Sequence, residues 1–131
     1  MKNNKLINLL AALPKIEIKQ FRKYLISPFF NENQSLVQLF DYLVHTHIAN
    51  ANARKLDKKV IWEHLFENKP YKDVKMRRLF SDLNQLLNGF LAYQQYEANA
   101  VQRSYQLMHS LQYTNLDKQF DGAFRQANFL Q

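Results

Sequence analysis

Apolar residues recur along this chain at intervals of three and four rather than alternating, so the pattern predicts helices throughout. The clearest run is Met76, Leu79, Phe80, Leu83, Leu86, Leu87, Phe90 and Leu91. It predicts a long central helix whose outer face carries Arg77, Arg78, Ser81, Asn84 and Gln85, with Gly89 on the solvent side at a cost of roughly 1 kcal/mol relative to alanine. Upstream, Leu6, Ile7, Leu9, Leu10 and Leu13 fit a first helix that Pro14 ends, because the residue before a proline is pushed out of the helical region. Pro14 also suits the start of a second helix, with Glu17 in its first turn and Ile18, Phe21, Tyr24 and Leu25 as its apolar stripe. Ser27 and Pro28 close it. A third helix, capped by Asn33 or Ser35, buries Leu36, Leu39, Phe40 and Leu43 and fades near His47.

Two connectors stand out. In SPFFNENQS the adjacent rings of Phe29 and Phe30 are costly to leave in water and are expected to tuck into the core and pin the loop. Residues 48–55, IANANARK, have no strong apolar period and read as a linker or a frayed helix end. Asp57 then caps a short fourth helix that buries Val60, Ile61, Leu65 and Phe66 and carries Trp62 on its flank. Asn68 and Pro70 make ENKPYK a turn, and Asp73 is expected to cap the central helix. After a loosening through Tyr93 and Tyr96, the period resumes at Val101, Tyr105, Met108 and Leu111. Thr114 or Asn115 caps a last helix with Leu116, Phe120, Phe124 and Ala127 on one face. The fold expected is all-α: a multi-helix bundle with a helix-turn-helix-like central pair and a C-terminal α-hairpin resembling the start of a helical-repeat solenoid. The division expected is a helical bundle domain over 1–96 and a helical hairpin over 97–131. Apolar residues reach Phe129 and Leu130 with no polar tail, so the native protein is expected to continue as a longer helical region.

Composition agrees and narrows the chemistry. Two glycines and three prolines in 131 residues leave little material for sheets and turns. With no cysteine, disulfides, thiolate zinc sites and cysteine nucleophiles are excluded together, and a reducing compartment, the cytoplasm, is the default. The opening MKNNKLINLLAALPK has the charge order of a signal peptide. However, Asn8 splits its short apolar run and no A-x-A cleavage pattern follows. No segment approaches the roughly 20 apolar residues that span a bilayer. The net charge of +7 favours acidic proteins, nucleic acid or anionic lipid as partners. Between Arg54 and Arg78 nine basic residues face four acidic ones, so five of the seven net charges lie in one short region. That region is either a solvated face or a binding surface.

Residues 21–43, FRKYLISPFFNENQSLVQLFDYL, and 65–91, LFENKPYKDVKMRRLFSDLNQLLNGFL, resemble a group of longer, uncharacterised helical bacterial proteins. These carry a serine-proline-aromatic-aromatic-asparagine element followed by a lysine-proline-tyrosine element. The resemblance implies architecture, and it transfers no activity and no site residues. A weaker resemblance is to winged helix-turn-helix domains that precede helical repeats, in which a short helix of the VIWEHLF type leads through a turn into a longer arginine-bearing helix. The chain departs from that pattern after Leu91. AYQQYEANAVQRSYQL is helical in character where a wing needs alternating strands and a glycine or asparagine turn.

If the central helix reads DNA, Arg77, Arg78 and Ser81 near its start face the bases while Lys69, Lys72 and Lys75 hold the backbone. The plainer alternative pairs Arg78 with Asp82 one turn on and leaves the rest solvated. Tyr105, Met108, Phe120, Phe124 and Phe129 form the candidate protein interface in the tail. Tyr93, Tyr96, Tyr105 and Tyr113 with Phe120 and Phe124, interleaved with Arg103, Lys118 and Arg125, also have the composition of a base-stacking surface, although such stripes are far more often core or a protein interface. His45 and His47 lie two apart and point to different faces of a helix, His64 reads as a boundary residue, and His109 has no acid near it in sequence. No glycine-rich phosphate loop, H-E-x-x-H or G-x-S-x-G occurs. The expectation is therefore a non-catalytic helical protein-interaction module without a cofactor. It would hold a protein partner or the remainder of its own chain, and would self-associate through the hairpin. A DNA-binding helix-turn-helix domain is the alternative, and an RNA or anionic-lipid binder is third.

Overall fold

The computed structural model describes residues 4–48, 56–112, 114 and 117–130. Among them are seven α-helices and no strand: α1 (Lys5–Ala12), α2 (Lys15–Ile26), α3 (Gln34–Leu43), α4 (Lys58–Leu65), α5 (Asp73–Ala98), α6 (Ala100–Gln112) and α7 (Asp117–Leu130). The all-α expectation is met. The chain divides into two compact units, Met1–Phe90 and Leu91–Gln131, and α5 contributes to both.

In the first unit the helix starts follow from local chemistry. Asn4, Asn33 and Asp57 turn their side-chain oxygens onto the free amides of Ile7, Ser35 and Lys59 and so cap α1, α3 and α4. Pro14 stands at the start of α2, where its missing N–H costs nothing. Asp73 does not cap α5 as expected, because it lies within the first turn. The buried faces converge on one core in which Phe21, Leu25, Leu39, Phe40, Ile61, Met76, Leu83 and Leu87 are almost wholly out of water. Each such side chain contributes about 1.5–3 kcal/mol of transfer free energy. Phe21 sits at its centre, edge-on to Phe40 at 5.3 Å and tilted against Phe90 at 5.4 Å.

Two expectations are corrected here. Phe29 is 88 % exposed and Phe30 36 %, so neither ring enters the core. The connector is held instead by Asn31, whose amide donates to the carbonyls of Leu25 and Asn33, and by Phe30 stacking on Tyr24. Trp62 is buried rather than flanking, while Val60 faces out. α3 passes directly into a π turn, Val44–Ile48, on which α1 packs. The Thr114 hydroxyl donates back to the carbonyl of Leu111 at the end of α6. Asn115, Leu116 and residues 49–55 of the expected linker lie outside the described residues.

In the second unit α6 and α7 pack together as a helical hairpin. Asn99 separates α5 from α6 and accepts from the amide of Gln102. Met108, Ala123 and Ala127 form its small core, with Leu111 and Phe120 half-buried against it.

Candidate functional site

The basic turn between α4 and α5 is built around one indole. α4 stops at Leu65, and Asn68 takes the left-handed conformation, φ 65°, that reverses the chain. This brings the Lys69 carbonyl within 3.0 Å of the Trp62 Nε1, which donates to it. Phe66 and Tyr71 close on the indole at ring distances of 4.5 and 5.6 Å. A buried tryptophan needs a partner for its N–H, and here the turn supplies it.

Those rings also organise the cations above them. The Lys75 ammonium lies 4.4 Å from the centre of the Phe66 ring and 5.8 Å from that of Trp62, Lys69 lies 5.9 Å over Phe66, and Lys59 lies 6.0 Å over Tyr71. Arg77 is held by Asp73 at 2.9 Å, one turn away. The Tyr71 hydroxyl donates to the same carboxylate at 2.8 Å. That hydrogen bond, with Arg77 and Lys58 nearby, holds the Asp73 carboxyl below its ordinary range.

Of the six candidate nucleic-acid contacts, Lys69 and Lys75 thus lie over rings and Arg77 is paired. Lys72, Arg78 and Ser81 are exposed. The expected ion pair between Arg78 and Asp82 is not formed among the described residues. Both residues line a groove of about 370 Å³ whose other walls are Asn33, Lys72, Val74, Lys75 and Leu79. Helical spacing brings Lys75, Arg78, Leu79 and Asp82 to one flank of α5, and the α3 cap at Asn33 closes the opposite side. Sequence reasoning singled out the cations but not the groove, because the position of Asn33 depends on how α3 packs.

A second groove of about 660 Å³ runs between α3, the π turn and α4, with Gln38, Tyr42, His45, Val60, Glu63 and His64 along it. The His64 ring lies 4.7 Å from that of Tyr42. Burial raises the Tyr42 hydroxyl above its ordinary range, and a hydrogen bond with the buried Thr46 offsets part of that. Asp41 at its edge is engaged by Arg22, whose Nε and Nη2 reach the two carboxylate oxygens at 2.9 and 3.0 Å. Among the described residues no group of three or more His, Asp or Glu is arranged to hold a metal ion.

In the hairpin, Met108 is buried and Phe120 half-buried, so these two candidate interface residues pack within the unit. Tyr105 and Phe124 remain exposed at 38 % and 47 %, together with Leu107 at 47 %. The side chains of Phe129, Tyr113 and Lys118 lie outside the described part. No described helix is long and apolar enough to cross a membrane.

Compared with models of known protein families, with curated proteins and with solved structures, the chain matches none.

Proposed function

We propose that this chain is a non-catalytic helical interaction module that holds a protein partner. The observation that carries the reading is the hairpin: among the described residues its core is a methionine and two alanines with two half-buried apolar side chains against them, while Tyr105, Leu107 and Phe124 are partly exposed. Exposed aromatic and aliphatic side chains on rigid helices are the anchors from which protein interfaces are made. With no partner present, these exposed side chains are proposed to drive self-association. The absence of cysteine is compatible with a reducing compartment, and the cytoplasm is proposed as the location.

The DNA-binding alternative draws on the exposed Lys72, Arg78 and Ser81. It has less support. α5 runs on as helix to Ala98 where a wing would stand, and Arg77 is already paired with Asp73. Titration of the full chain against duplex DNA over a range of salt tests the choice. The module reading expects weak, sequence-independent binding at low salt that vanishes near physiological salt. Binding that persists there, and that is abolished by reversing both Arg77 and Arg78 to glutamate, overturns it in favour of DNA.

A further inference from the structure

We infer that the groove between the start of α5 and the cap of α3 receives an acidic, aliphatic-bearing peptide segment of a partner protein. This rests on the interaction-module reading and names the chemistry of one partner. The lining combines aliphatic and cationic side chains: Val74, 62 % exposed, and the buried Leu79 with Lys72, Lys75 and Arg78. An exposed valine gains nothing from solvent, and it gains burial when an apolar side chain covers it. The three cations of the lining are complementary to carboxylates.

Other occupants fit the groove less well. A nucleic-acid backbone presents charge without aliphatic groups to cover the exposed Val74. A second copy of this chain brings a net charge of +7 to a cationic lining. A peptide alternating acidic and aliphatic residues satisfies both features together. Its carboxylates meet Lys72, Lys75 and Arg78, and its apolar side chains cover Val74.

Fluorescence anisotropy with the full chain tests this, using as probe a short labelled peptide of alternating glutamate and leucine. Binding is expected. Changing Lys72 and Arg78 together to glutamate should weaken it by about tenfold or more, as for charges that face each other across an interface. Val74→Ser, at a position too exposed to disturb folding, should weaken it about threefold. Arg77→Glu does not touch the groove and should leave binding within about twofold. A glutamate–serine peptide should bind about tenfold more weakly than the glutamate–leucine probe. The inference is overturned if the probe does not bind, if it ignores both the charge reversal and Val74→Ser, or if the serine peptide binds equally well. If duplex DNA displaces the probe and depends on the same residues, both this inference and the module reading fail. If neither peptide nor DNA binds, only the groove assignment falls, because the module reading stands on the hairpin.

Discussion

The ring of Phe30 lies stacked on that of Tyr24, with centroids 4.1 Å apart and planes 17° from parallel. Its neighbour Phe29 meets Phe30 edge-on at 5.1 Å and otherwise faces solvent. Two adjacent phenylalanines therefore have different energetic roles. Phe30→Ala should cost about 1–2 kcal/mol through the lost stack and the partly buried ring. Phe29→Ala should stay within about 0.5 kcal/mol, as at an ordinary surface site. Chemical denaturation of the two variants measures the difference, and equal losses would mean that Phe29 is covered in solution.

The two glycines offer a matched comparison. A methyl group at Gly122 in α7 would meet nothing within 4 Å, whereas one at Gly89 in α5 would stand 3.2 Å from the Tyr24 hydroxyl. Gly122→Ala should therefore stabilise its helix by close to the full propensity difference, about 1 kcal/mol. Gly89→Ala should gain less, because Tyr24, clasped between Phe30 and Phe90, has to give way. Hydrogen-exchange protection along α5 and α7 reads the two effects separately.

Acid should weaken the start of α5. The Asp73 carboxyl lies below its ordinary range in the folded chain because it accepts from Tyr71 and faces Arg77. Its contribution is thus fully present above the unfolded-state value and is lost as pH falls through the lower, folded one. Tyr71→Phe removes the largest cause, so the Asp73 titration followed by NMR should move upward toward the ordinary aspartate value. An unchanged midpoint would show that the hydroxyl does not donate to it.

The turn before α5 should depend on the Trp62 hydrogen bond and on the backbone at Asn68. Trp62→Phe leaves the Lys69 carbonyl without its donor and opens space at a buried position, at a cost of about 1–3 kcal/mol. Asn68→Gly should be tolerated at φ 65°, whereas Asn68→Val should lose about 1–2 kcal/mol to the steric penalty of that conformation. Thermal denaturation of the three variants checks the order. A harmless valine would mean that the turn takes another shape.

Much of the fold was legible because helices are specified locally. The Met76 to Phe90 periodicity, the break at Pro14, the caps at Asn33 and Asp57 and the stop at Ser27 each depend on residues within one turn of each other. The failures share a different cause. Hydrophobicity alone says that Phe29 should be buried, but the connector is anchored by Asn31 and by only one of its two rings. The same reasoning leaves Trp62 on a flank, although the Lys69 carbonyl, seven residues away, makes the burial of its N–H affordable.

The candidate site divides in the same way. That Lys69, Lys72, Lys75, Arg77 and Arg78 form a basic cluster follows from the sequence, since they lie within ten residues of one another. Which of them are spoken for was decided by tertiary structure, because the rings of Trp62, Phe66 and Tyr71 meet only after the turn folds back. The groove itself needs Asn33 from α3 beside Lys72, Val74 and Arg78 from the start of α5. Nearest-neighbour chemistry determines where helices begin and end and which faces are apolar. The approach of residues some forty positions apart is set by how whole helix faces pack, and no short stretch of sequence encodes that.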